Sequence, residues 1–197
     1  MLFDTGFGNK LRLLTVKYIV HQKGEAICSI LPAFHCLTGC DTTSAFVRRG
    51  FKISPLNLVE KNAEYISMLT MLGQEHEYSS QLLTEIEKFV CAVYGQPKYT
   101  DINKLRYDTF CKKNQGHGNV LDLHNSCDMS LLPPCRDSLE VHILCVNYQS
   151  YIWCHADDKQ PNLPDLEVSG WKVGTEGIEY ELTSARGEIV PQELIDI

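Results

Sequence analysis

The chain has 197 residues, 44% hydrophobic and 22% charged, with 18 Lys and Arg against 25 Asp and Glu for a formal net charge of -7. That length suffices for one domain with a buried core, and the composition excludes wholesale disorder. The acidic balance excludes attraction to a polyanion over the whole surface, so any nucleic-acid surface has to be local.

Leu2-Phe3 and Leu11 to Val16 flank Gly6-Phe7-Gly8-Asn9, a pattern that predicts a β-hairpin whose free edge could pair with a partner chain. Val16 to Gln22 and Glu25 to Leu37 read as helices, with Lys23-Gly24 as the break between them. One or two helices follow between Ser54-Pro55 and Leu72, with Pro55 in a first turn and Leu56, Val59, Ile66, Leu69 and Leu72 inward. From Ser79 or Ser80 to Gly95 the apolar positions Leu82, Leu83, Ile86, Phe89, Val90, Val93 and Tyr94 recur at helical spacing. Asp101 to Lys113 predicts a short helix capped by Asp101, with Ile102, Leu105 and Phe110 inward.

Gln115 to Leu132 is loop-like, and Arg136 to His155 predicts a long helix carrying Leu139, Ile143, Val146, Tyr148, Ile152 and Trp153. Trp171 to Val173 and Ile178 to Leu182 around Gly174-Thr-Glu-Gly177 predict a terminal hairpin. The fold class expected is α+β, mainly α, with a helical middle between two small hairpins. The expected division is 1–113 as one domain and 133–197 as a helix-plus-hairpin appendage.

Within this frame the stretch LPAFHCLTGCDTTSAF, Leu31 to Phe46, combines an apolar helical run with an abrupt stop at Thr38-Gly39. Asp41 should then begin the next helix, where Asp-Thr-Thr-Ser supplies capping side chains for orphan amide groups. His35 is expected as a structural histidine whose ring hydrogen-bonds near the turn.

The same stretch resembles the L-P-A-x-H-A-x-T-G-C-D-T-T-S core of a family of transposon-associated animal proteins. That core is itself similar to the Gly-Cys-Asp segment of flap endonucleases and other PIN-like nucleases. The resemblance continues in LPPCRDSLEVHILCVNYQSYIW, Leu132 to Trp153, and in GWKVGTEGIEYEL, Gly170 to Leu182. It implies a partial PIN-like domain over 1–113 and a metal-ligand role for Asp41. The implied cofactor is a divalent cation, Mg or Mn, and the implied chemistry is phosphodiester cleavage, which needs clustered carboxylates to hold such ions.

The chain departs from the family pattern in ways that bear on activity. It begins at Met1-Leu2-Phe3, after the acidic strand that supplies the family's other metal carboxylates, and it stops before the Cys-rich tail. Arg48-Arg49-Gly50-Phe51-Lys52 stands where the family tends to show Gly-x-Gly-Lys, and Val146 stands where it commonly has Arg. The expectation is a nuclease remnant that does not cleave as this chain alone and has no catalytic residue to assign. Arg48, Arg49, Gly50 and Lys52 remain as candidate contacts to DNA phosphates. A non-catalytic nucleic-acid or protein binding module is the alternative, and a decayed element with no selected function is a third.

Nine scattered cysteines, and no basic-apolar-small pattern at the start, predict a reducing compartment and an intracellular, nuclear or cytoplasmic setting. Cys28, Cys36 and Cys145 fall in apolar runs and should pack as small hydrophobes. No Cys-x2-Cys pair occurs, so zinc is not expected; Cys127, Cys135, His142 and Cys145 form the nearest approach to a ligand set. Neither a Gly-x-Ser-x-Gly elbow nor a Gly-x4-Gly-Lys phosphate loop is present. No apolar run approaches a membrane span.

Overall fold

The computed structural model describes residues 2–5, 12–46, 54–114, 128–174 and 177–180, and it is mainly helical. Strands β1 (Leu2–Thr5) and β2 (Arg12–Thr15) pair antiparallel, with Leu2 opposite Thr15 and Thr5 opposite Arg12. Seven α-helices follow among the described residues: α1 (Val16–Lys23), α2 (Glu25–Thr38), α3 (Pro55–Glu60), α4 (Ala63–Met71), α5 (Ser80–Val93), α6 (Ile102–Asn114) and α7 (Arg136–Cys154). Strands β3 (Trp171–Gly174) and β4 (Gly177–Tyr180) pair antiparallel near the end. The residues joining β1 to β2, the 115–127 segment and the tip between β3 and β4 lie outside the described residues.

Local chemistry explains most helix boundaries. The Thr15 hydroxyl accepts from the Tyr18 amide at 3.1 Å, and Ser79 does the same for Leu82 at 3.2 Å, so each satisfies an amide that the first turn leaves unpaired. Asn62 caps α4 and Asp101 caps α6, with Asp101 Oδ1 accepting from the Lys104 amide at 2.9 Å. Pro55 stands at the first turn of α3, where its missing N–H costs nothing.

Helix α5 buries Leu82, Leu83, Ile86, Phe89, Val90 and Val93, the stripe its spacing predicts. These residues join Ile30, Leu37, Val59, Leu69, Leu72, Ile102 and Leu105 in one core. Helix α7 lies in that same core through Leu139, Ile143 and Val146, although the sequence places it at the head of an appendage. Further along, Trp153 is exposed, while Tyr151, two residues before it in the same last turn of α7, is buried. On α6, Ile102 and Leu105 are buried as expected, but Phe110 is exposed because only the first two turns of that helix pack inward.

A carboxylate sits inside this core. Glu87 is 2% exposed, and its carboxylate accepts from the Ile102 amide at 2.8 Å and meets Arg136 Nη1 at 3.3 Å. A buried carboxylate persists only when so paired, and this one ties α5 to the starts of both α6 and α7. Among the described residues no helix is long and apolar enough to cross a membrane.

Candidate functional site

The site is built on the C-terminal end of α2. Cys36 and Leu37 are fully buried there, and Gly39 stops the helix at φ 116°, its N–H reaching the His35 carbonyl at 3.0 Å. A Cβ on Gly39 would lie 2.5 Å from that of Ala45, so the glycine is what lets the chain double back on itself. Cys40 and Thr43 then form an isolated β-bridge, with Asp41 and Thr42 at the tip between them.

No helix begins at Asp41, contrary to the expectation from its capping residue types. The hydroxyls that would cap it are used elsewhere. Thr43 Oγ1 donates to the Cys36 carbonyl at 2.7 Å and accepts from the Cys40 amide at 3.1 Å. Thr42 Oγ1 donates to Gln149 Oε1 at 2.7 Å, and Ser44 Oγ lies 2.9 Å from His142 Nδ1. Both partners are on α7. Asp41 and Thr42 are both exposed, but Asp41, unlike Thr42, makes no hydrogen bond or ion pair among the described residues.

The two segments singled out in the sequence therefore meet in space, Gly39-Cys40-Asp41-Thr42 against His142 to Trp153. His142 donates from Nε2 to the Leu37 carbonyl at 3.0 Å, and burial holds its pKa below the ordinary histidine value against the opposing pull of that bond. Asn147 faces the opposite way. Its side chain accepts from the Gly73 amide at 2.9 Å and donates to the carbonyls of Glu75 at 2.9 Å and His76 at 3.1 Å. His35 differs from expectation: its exposed ring makes no hydrogen bond among the described residues and instead stacks on Trp153, with centroids 5.8 Å apart and planes 13° from parallel.

The thiols at this end of α2 differ in character. Burial pushes the Cys36 thiol up to about 12. Cys40 is pushed up by burial too, but the hydroxyls of Thr42 and Thr43, 3.3 and 3.2 Å from its sulfur, bring it net below the usual thiol value.

Among the described residues no group of three or more His, Cys, Asp or Glu stands ready to hold a metal ion. Of the four residues nearest to a zinc set, Cys127 lies outside the described residues, both nitrogens of His142 are engaged, and the Cys145 thiol points to the Gly170 carbonyl at 3.5 Å. Arg48, Arg49, Gly50 and Lys52 also lie outside the described residues. The partnership of Ser44 with His142 was missed in the sequence, where 98 residues separate the two and no motif links them. No protein-family model matches the chain, and neither does any curated protein or solved structure.

Proposed function

We propose that this chain is a nucleic-acid-binding module on a scaffold of PIN-like nuclease ancestry, and that it binds without cutting. In this reading Asp41 contacts a Mg or Mn ion, and Arg48, Arg49, Gly50 and Lys52 meet the phosphates beside it. The observation that carries the reading is the clamp on the turn: Thr42, Thr43 and Ser44 are all bonded inward, which leaves Asp41 held outward on a rigid support. One carboxylate can share a hydrated cation with a phosphate, but cleavage calls for a cluster, and among the described residues no group of three or more His, Cys, Asp or Glu is placed to hold a metal ion.

Fluorescence anisotropy with labelled single- and double-stranded DNA tests this directly. Binding should weaken roughly 20- to 40-fold between 50 and 200 mM salt, as expected for three phosphate contacts. Joint Arg48→Glu and Arg49→Glu substitution should abolish it. Binding that survives that pair, or Mg-dependent cleavage that Asp41→Ala removes, would overturn the reading.

The β1–β2 pair supports a second reading, as a protein-binding edge. Two four-residue strands are marginal by themselves, and neither pairs with a third strand among the described residues. A strand from a partner chain added at that edge would fit. None of the eight described cysteines forms a disulfide.

A further inference from the structure

We propose that Ser44 is an activated nucleophile with His142 as its base, forming a site that takes up the acyl group of small apolar carboxylic esters. The inference goes beyond nucleic-acid binding and does not depend on it. The tautomer of His142 follows from its partners. A carbonyl can only accept, so the 3.0 Å contact with Leu37 places the ring proton on Nε2. Nδ1 then carries a lone pair, and the Ser44 hydroxyl 2.9 Å away donates to it. Serine, imidazole and an orienting acceptor stand in line, the relationship that activates a hydroxyl for attack.

Three surrounding features fit the assignment. Ser44 is exposed and His142 is buried, so the nucleophile is reachable while its base is shielded. Both line an open cleft of about 260 Å³ whose other walls include Phe46, Tyr94, Leu132 and Leu139, a lining suited to a small apolar group. The N–H groups of Ala45 and Phe46, next in the chain, donate to no acceptor among the described residues and are available to an acyl oxygen. The Leu37 carbonyl belongs to the last turn of α2, where the helix dipole favours the imidazolium that forms during attack.

The step balances within the site. Ser44 Oγ bonds to the acyl carbon as its proton passes to His142 Nδ1. The bond from that carbon to the alcohol oxygen then breaks, and the oxygen takes the proton from Nδ1, leaving acyl-Ser44 and free alcohol. Water repeats the sequence on the acyl-enzyme, releasing the acid and restoring the serine.

The test is labelling of the whole chain with p-nitrophenyl acetate and with an alkyl fluorophosphonate, followed by intact-mass and peptide mass spectrometry. One adduct per chain, on Ser44, is expected. Ser44→Ala should remove it. His142→Gln, which keeps a donor for the Leu37 carbonyl but has no basic nitrogen, should slow it roughly a hundredfold. Circular dichroism establishes that each variant is folded, and Ser44→Ala, an exposed change, keeps the test alive should the buried variant not fold. Adducts spread over other serines, labelling unchanged in Ser44→Ala, or an undiminished rate at Ser44 in folded His142→Gln would each overturn the proposal and leave the pair as a hydrogen bond that pins the turn.

Discussion

Thr42 and Gln149 are 107 residues apart in the chain, yet their side chains share a 2.7 Å hydrogen bond that fastens the tip of the Gly39–Ser44 turn to α7. Because the bond is exposed, its net contribution to stability is small, while its effect on where Asp41 points is large. Gln149→Ala should therefore lower stability by less than about 1 kcal/mol in urea unfolding. Amide exchange at Asp41 and Thr42 should quicken markedly in the same variant. Unchanged exchange there would show that Thr43 and Ser44 hold the turn unaided.

Asn147 should be far less tolerant. It satisfies one amide and two carbonyls of the Gly73–His76 segment from a position 3% exposed, so Asn147→Leu strands three backbone groups. A loss of about 3 kcal/mol is expected, read as a drop in thermal midpoint. Asn147→Asp should be nearly as harmful, since it keeps an acceptor for Gly73 but loses both donations and buries a charge.

Gly73 itself lies at φ 76°, and a Cβ there would stand 2.6 Å from the Ser150 carbonyl carbon and 2.7 Å from the Tyr151 amide nitrogen. Backbone cannot give way as a side-chain tip can. Gly73→Ala should cost about 3 kcal/mol in denaturant unfolding, from left-handed strain and overpacking together. A near-neutral result would mean that α7 can shift away from this loop.

Stability should fall on both sides of neutrality, for separate reasons. Burial lowers the pKa of His142 in the fold, so the unfolded chain takes up that proton more readily, and stability should decline as pH falls below 6.5. Burial raises the thiols of Cys36 and Cys91 from 9.0 to about 12, so their contribution is intact below pH 9 and is lost as pH rises from 9 towards 12. Urea midpoints measured from pH 5 to 11 should trace a plateau near pH 7 to 8. Cys91→Ala should flatten the alkaline limb, and a limb unchanged in that variant would place its origin elsewhere.

The helices were legible in the sequence because their signals are local. Ser79 and Asp101 cap where their hydroxyl and carboxylate chemistry says they should, and the apolar spacing of α5 names its buried face. The turn after α2 was misread because side chains that suit a helix start can also bond across it. Thr43 found the Cys36 carbonyl and Cys40 amide close by, and Ser44 found His142 on a helix far along the chain. Phe110 and His35 were misassigned for a related reason. Periodicity tells which residues share a face, not how far along a helix its neighbour extends.

Helix α7 acts as a common strut: His142 holds Leu37 and Ser44, Asn147 holds the Gly73–His76 loop, and Arg136 reaches Glu87. Cutting the chain in the 115–127 segment would strip the first 113 residues of every one of these supports, uncover Leu37, and leave Glu87 as a lone charge inside an oily interior. The stretch that looks most like a seam is thus a poor place to divide the protein, and trimmed versions intended for binding work should run at least through Tyr151.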